Sequence, residues 1–175
     1  MYLFRNKKAN RERGINRANG LKTAEIVVEK KLIRYIARLN YGSLVQKRMK
    51  KEKFHIEYVF DKVSLLSLWN HVSSPPGLSE WFSDKVNING DVYTFSWKEA
   101  RQKATIIAHI PGEFIRFQWE DEDDESAYFE FKMRTTELTG STVFEITDFA
   151  VPAEKGDAIH LWETQIETLK RTLGI

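Results

Sequence analysis

Residues 86–119 read VNINGDVYTFSWKEARQKATIIAHIPGEFIRFQW, and turn signals divide this stretch into runs in which apolar and polar residues alternate. Asn89-Gly90 is the pair preferred in a two-residue type I′ turn, since both positions need positive φ. Lys98-Glu99 and Pro111-Gly112 close the two following pairs of strands. The stretch therefore predicts four consecutive antiparallel strands.

A two-residue loop at each signal gives these strands one common apolar face. It places Val86 opposite Tyr93 and Ala108 opposite Ile115. The other face is polar, with Lys103 facing Glu120, as in an antiparallel sheet that has one side in water. The predicted apolar face consists of Val86, Ile88, Tyr93, Phe95, Trp97, Ala104, Ile106, Ala108, Ile115, Phe117 and Trp119.

The preceding segment predicts one strand and two short helices. Residues 54–60 alternate with period two, as in a strand with one buried face. Asp61 is then expected to cap a helical stretch that breaks at residues 73–77. A second short helix is expected from Leu78 to Phe82.

The following segment predicts two more strands, residues 127–134 and 142–150. A final helix is expected from Glu154 to Leu173, because apolar residues recur on one side of it. The element order is therefore one strand, two short helices, six strands and one long helix. The sequence predicts an α+β domain.

This order, combined with the segment GLSEWFSD at residues 77–84, resembles the START-like (Bet v 1-like) superfamily over residues 51–174. Leu68-Trp69 and the Pro111-Gly112 turn before Phe117-Gln118-Trp119 add to the resemblance. The branch it looks most like consists of small bacterial proteins related to the heat-shock ATPase activator. The resemblance implies a helix-grip fold, in which a curved seven-stranded antiparallel sheet wraps the C-terminal helix. It also implies that a cavity often lies between them.

The residues leave two interpretations of that space open. Ala100, Ala104 and Ala108 recur at every fourth position, and small residues either leave room for a ligand or allow close packing of sheet and helix. The candidate ligand-binding residues are Tyr93, Phe95, Trp97, Gln102, Ala104, Ile106, Ala108, Phe117, Trp119, Phe131, Asp148, Trp162 and Ile166.

Three polar candidates, Tyr93, Gln102 and Asp148, are placed to orient a ligand. Each also has an ordinary interpretation. Tyr93 and Gln102 are then hydrogen-bonded core residues, and Asp148 is a strand-end residue at the rim. Both interpretations are compatible with the sequence.

The sequence predicts no catalytic residues, no metal site and no cofactor. Its four histidines lie on different elements, with His55 and His109 expected on the outer face of the sheet. Metal-ligand spacing, a nucleophile elbow and cysteine are all lacking in the sequence. Only Tyr93 and Asp148 could serve as acid or base inside a cavity.

The charge of the chain is divided near Met49. Residues 1–48 contain 13 Lys and Arg against three acids, whereas the remaining 127 residues contain 14 bases and 22 acids. The basic segment includes an amphipathic pattern at residues 21–39, which suits anionic lipid or nucleic acid. Alternatively, residues 1–48 are a mis-assigned start and the START-like domain is residues 49–175.

Three functions are compatible with the sequence. The first is a domain in residues 49–175 that binds an apolar small molecule, lipid-like or aromatic, and no nucleic acid. The second is a chaperone-associated or other protein-binding module that uses exposed Trp81 and Phe82. The third is a cavity enzyme similar to polyketide cyclases. A cytoplasmic location is expected, because no secretion signal and no apolar run long enough to span a membrane occur in the sequence.

Overall fold

The computed structural model describes residues 50–175, so the predicted basic helix at residues 21–39 lies outside the described part. Seven antiparallel strands form one curved sheet with the order β1-β7-β6-β5-β4-β3-β2. The α+β helix-grip prediction is confirmed. The elements are β1 (Glu52–Phe60), α1 (Leu65–Ser73), α2 (Pro75–Trp81), β2 (Lys85–Asn89), β3 (Val92–Trp97), β4 (Ala100–Ile110), β5 (Phe114–Trp119), β6 (Phe129–Thr135), β7 (Thr142–Ala150) and α3 (Lys155–Leu173).

The first hairpin differs from the predicted one by a shift of its turn. Val86 pairs with Phe95 and not with Tyr93, because Gly90 and Asp91 form the loop. Only Gly90 has a positive φ there, at 60°, so the two positive φ values of a type I′ turn are not met. The shift moves each partner by two residues, which leaves the inward-facing residues unchanged.

The second hairpin has the predicted register, and the third does not. Trp97 pairs with Ala100 across Lys98-Glu99, as expected. At the third turn Ile110 pairs with Phe114, so the loop contains three residues, and a bulge at Ile107 interrupts the ladder. A bulge adds one unpaired residue and therefore exchanges the two faces beyond it.

This bulge corrects two predicted orientations. Ala108 pairs with Arg116 and not with Ile115, so it lies on the outer face and was wrongly placed among the concave residues. His109 pairs with Ile115 and lies on the inner side, where it remains exposed. Ala104, which precedes the bulge, keeps its predicted partners Tyr93 and Trp119.

The two alanines provide a matched pair of substitutions. Ala104 is fully buried, so we expect Ala104→Leu to lower the free energy of unfolding by about 1–3 kcal/mol through overpacking. Ala108→Leu on the half-exposed outer face should change it by less than about 0.5 kcal/mol. Urea denaturation of both variants tests the register. Equal losses would contradict the bulge assignment.

Two serines set the boundaries of the short helices. Ser64, rather than Asp61, caps α1, because its hydroxyl accepts a hydrogen bond from Ser67 N at 3.1 Å. Ser74 ends α1 and caps α2, and its hydroxyl accepts from Gly77 N at 3.1 Å. Proline is favoured at the first positions of a helix, where its missing N–H is not needed. The helical stretch therefore breaks at Ser74, within the predicted range, and Pro75 and Pro76 begin α2 three residues before the predicted start at Leu78.

The core lies between the concave face of the sheet and the helices. Helix α3 begins one residue after the predicted start and ends before Gly174, whose φ of 76° forms the C-cap. Its buried side contains Trp162, Ile166 and Leu169, three residues of the predicted apolar stripe. Within residues 50–175 no helix has the length and apolarity needed to cross a membrane.

Candidate ligand-binding site

Aromatic rings fill much of the space between the concave face and α3. Phe82, which directly follows α2, stacks on Trp162 with a centroid distance of 5.7 Å and an interplanar angle of 10°. It also contacts Phe95 at 5.0 Å and Phe129 at 5.9 Å. The sheet and α3 are thus connected through contacting rings, in stacked and edge-to-face arrangements that are favoured between aromatic side chains.

Several predicted ligand-binding residues belong to this packed centre. They are fully buried and lie on the inner side of the sheet or on the buried side of α3. Their contacts are to other core side chains, as in the stacking of Phe117 on Phe129 at 4.9 Å. This group consists of Phe95, Ala104, Phe117, Phe131 and Ile166.

A second group of predicted residues is only partly covered. Trp97 donates its indole N–H to the Phe82 carbonyl at 3.1 Å, and Trp119 stacks on Phe129 at 4.7 Å. Ile106 and Asp148 are likewise half-buried. An entering molecule would meet these side chains before the packed centre.

Tyr93 is a structural residue in this arrangement. Its hydroxyl donates to the Ser73 carbonyl at 2.8 Å, which joins β3 to the end of α1. Burial raises the pKa of Tyr93, and the nearby Asp91 raises it further. The hydroxyl therefore already has a partner in the core, as one of the two interpretations of Tyr93 expected.

Two buried glutamines have side-chain amides without a hydrogen-bond partner in the described part of the chain. Gln102 lies on the inner side of β4, with 5% of its surface exposed, and Gln165 lies on the buried side of α3 with 9% exposed. Gln102 was predicted as a site residue from the sequence, whereas Gln165 was not. The spacing of three residues from Trp162 was the available signal, because it places Gln165 on the same side of the helix.

Asp148 faces the helix, where it binds Trp162. Its Oδ2 accepts from the Trp162 indole N–H at 2.9 Å, and its Oδ1 accepts from Phe149 N at 2.7 Å. Desolvation raises the pKa of Asp148 to about 6, although these two hydrogen bonds oppose the shift. Lys51, paired with Glu122, lowers the pKa slightly, and Glu122 raises it slightly. The carboxylate is therefore ionised but poorly solvated at neutral pH.

The raised pKa predicts a stability difference that depends on pH. A carboxyl group whose pKa is about 6 when folded and 3.8 ordinarily destabilises the folded state increasingly as pH rises from 3.8 to 6. We expect Asp148→Asn, which keeps an oxygen acceptor for Trp162, to be more stable than the unsubstituted protein at pH 7.5. The advantage should shrink as pH falls from 6 to 4 in urea denaturation. An advantage that is equal at both pH values would contradict the raised pKa.

The predicted protein-binding pair is not at the surface. Trp81 and Phe82 are both buried, and Trp81 donates its indole N–H to the His71 carbonyl at 2.9 Å. The interpretation of these two rings as an exposed contact surface is therefore wrong. Both rings pack against residues of the sheet inside the domain, Trp81 against Phe131 and Phe82 against Phe95.

The structure also brings together potential metal ligands on the convex face. One ligand atom from each of His55, Glu57 and Glu145 lies within 4.8 Å of the others. Arg134 already binds both carboxylates, Glu57 at 3.1 Å and Glu145 at 2.9 Å. No local pattern indicates this group, because β1 and β7 are neighbours in the sheet but far apart along the chain. The two carboxylates of this group are therefore already paired with a cationic side chain.

Solved structures share this architecture. A protein from Bacteroides fragilis, BfR322, is 44% identical, with 71% of this chain and 92% of that chain covered and a TM-score of 0.54. The Aha1 dimer from Colwellia psychrerythraea is 16% identical, with 71% and 97% covered and a TM-score of 0.60. CalU16 from Micromonospora echinospora is 15% identical, with 68% and 72% covered and a TM-score of 0.53. Among curated proteins no match was found.

Residues 48–175 match the model of a protein family that is described as "START-like superfamily domain". This range contains the seven strands and three helices of the described residues 50–175, including Asp148 and Trp162. The match to the family and the fold therefore agree, and the chain belongs to the START-like superfamily.

Proposed function

We propose that residues 49–175 bind an apolar small molecule, lipid-like or aromatic, between the concave face of the sheet and α3. The partly covered side chains of Trp97, Ile106, Trp119 and Asp148 offer it a route toward the core. Polar groups available for its orientation include the amides of Gln102 and Gln165 and the carboxylate of Asp148.

The two unpartnered glutamine amides are the observation that carries this proposal. Buried polar side chains in folded proteins nearly always have a hydrogen-bond partner, from protein or water. In the described residues, the side-chain atoms that are wholly buried without a partner are the Tyr58 and Ser96 hydroxyls, whereas the two glutamine amides remain accessible and so can bind a ligand. Gln102 and Gln165 lie on the two layers that a ligand would separate, so a hydroxyl or carbonyl group on an otherwise apolar molecule suits them.

The surrounding rings supply enough apolar surface for measurable affinity. Burial of about 300 Å² of ligand surface at roughly 25 cal/mol per Å² contributes several kcal/mol before the entropic cost of binding. Affinities near the micromolar range are therefore consistent with a site that covers only part of the ligand.

Two experiments test the proposal. The first is native mass spectrometry of protein purified without detergent, and the second measures the melting temperature of the protein at increasing concentrations of the probe 2-(1-naphthyl)ethanol. We expect a bound lipid-sized or aromatic mass, and a melting temperature that rises with probe concentration, since binding only to the folded state stabilises it. No bound mass and no shift would contradict the proposal.

Substitution of Gln102 separates ligand binding from packing. We expect Gln102→Leu to leave the melting temperature of the ligand-free protein equal or higher and to reduce the shift produced by 2-(1-naphthyl)ethanol. The matched control is Gln118→Leu on the convex face. Gln118 donates to the Glu125 carbonyl at 2.9 Å, so its loss should lower stability without changing the ligand response.

The other two functions have less support. The protein-binding alternative depended on exposed Trp81 and Phe82, which are buried. The enzyme alternative needed an acid or base in the cavity, and the Tyr93 hydroxyl is already bonded to the Ser73 carbonyl. Asp148 is the remaining candidate of that pair, and its position beside Trp162 suits recognition of a ligand.

A further inference from the structure

Asp148 is a carboxylate whose direct partners are all neutral. The indole N–H of Trp162 and the backbone N–H of Phe149 bind its two oxygens. In the described residues no Lys, Arg or His forms an ion pair with it. Lys51, the cation that influences it, is paired with Glu122, so these three side chains together have a net charge of −1. The site has an uncompensated negative charge.

A poorly solvated carboxylate of this kind favours a cationic partner. Removing an ionised group from water is unfavourable unless an opposite charge or hydrogen bonds replace the water. Two neutral donors replace only part of it, which is why the pKa of Asp148 remains raised. A charged N–H donor beside the carboxylate would form a shorter and stronger hydrogen bond than a neutral donor.

The rings beside Asp148 suit the apolar body of such a ligand. Trp162, which binds the carboxylate through its indole N–H, is stacked on Phe82 at 5.7 Å and lies 6.5 Å from Phe129. These rings provide the apolar contact that the rest of the ligand needs. The carboxylate then distinguishes a cation from an anion of the same shape.

We propose that the ligand of this site is an organic cation, with a protonated amine that binds Asp148 and an aromatic or aliphatic body that packs against Trp162 and its neighbouring rings. The inference rests on the proposed function, because it names the chemical class of the molecule bound there. It also makes a fatty acid a poor ligand, since its carboxylate would lie beside the negative charge of Asp148.

Three probes with one ring system and different head groups test the inference. They are 2-(1-naphthyl)ethylamine, 2-(1-naphthyl)ethanol and 3-(1-naphthyl)propionate. At pH 8 Asp148 is ionised, and an alkyl amine with a pKa of about 10 is protonated. We expect calorimetric titration of residues 1–175 to show that the amine binds at least about tenfold more tightly than the alcohol, and the propionate more weakly than both.

Two substitutions that remove one negative charge each serve as variant and control. Asp148→Asn should bring the affinities of the amine and the alcohol within about twofold of each other. Asp157→Asn, at an exposed position in the first turn of α3, should leave the preference unchanged. It controls for long-range attraction between the probe and an acidic domain.

The outcomes separate the two proposals. An alcohol that binds as tightly as the amine to the unsubstituted protein would overturn the cation inference and leave the proposed function standing. A preference for the amine that persists in Asp148→Asn would also overturn it. Absence of binding by all three probes, combined with no co-purified molecule, would overturn the inference and the proposed function together.

Discussion

We expect Phe82→Ala to lower the free energy of unfolding by about 3–5 kcal/mol. Phe82 is 6% exposed and contacts rings from β3, β6 and α3, including Phe95 at 5.0 Å and Trp162 at 5.7 Å. Its removal leaves a cavity at the point where these layers meet. Because a domain is stable by only about 5–15 kcal/mol, a large part of the stability would be lost. Urea denaturation of the purified variant measures the change.

The control for this prediction is another apolar residue of the same region. Leu66 on α1 is 70% exposed, so Leu66→Ala should change the free energy of unfolding by less than about 0.5 kcal/mol. Phe82→Leu, which fills part of the cavity, should lose less than Phe82→Ala. A Phe82→Ala variant as stable as the unsubstituted protein would restore the interpretation of Phe82 as a surface contact for another protein.

The fold could be predicted because apolar and polar residues alternate along its short strands, and this alternation determines which face of the sheet each residue occupies. A residue's face depends on whether its position is odd or even, so the shift of the first hairpin by two residues changed pairs without changing faces. Val86, Tyr93 and Phe95 are therefore buried as predicted. The β7 boundaries, Thr142–Ala150, were also predicted, since residues 144–147 alternate between apolar and polar and the turn at Gly140 precedes them.

The bulge could not be predicted for the same reason. Residues 106–108 read Ile-Ile-Ala, which has no polar residue to mark a face. The sequence therefore fits either register, and the choice depends on the three-residue loop after Ile110 and on pairing with β5. Ala108 and His109 were assigned to the wrong sides because alternation was assumed to continue through this run.

The site was predictable as a set of residues on one face but not as a set of contacts. Asp148 was predicted as a polar residue of the site, whereas its bond to Trp162 depends on how α3 crosses the sheet. Gln165 was missed because apolar residues alone were used to define the buried side of α3. The burial of Trp81 follows from the position of α2, which no local pattern specifies.

Gly77→Ala should also be strongly destabilising, by about 3 kcal/mol or more. Gly77 lies in the first turn of α2, where that helix meets the end of α1. A Cβ there would lie 2.5 Å from His71 Cα and closer still to the Asn70 carbonyl oxygen. Both contacts are with backbone, so no side-chain rotation can relieve them. The helices would have to separate, which would displace Trp81 from the His71 carbonyl that its indole binds.

Gly156→Ala is the matched control, because Gly156 also lies near the start of a helix and a Cβ there would meet nothing within 4 Å. Alanine is favoured over glycine in helices, so this variant should be unchanged or more stable by up to about 1 kcal/mol. Thermal unfolding of both variants by circular dichroism compares the same chemical change at a close contact and in open space. A loss of less than about 1 kcal/mol for Gly77→Ala would show that α1 and α2 can separate at little cost. In that case the close approach at Gly77 would not be what holds Trp81 and Phe82 against the sheet.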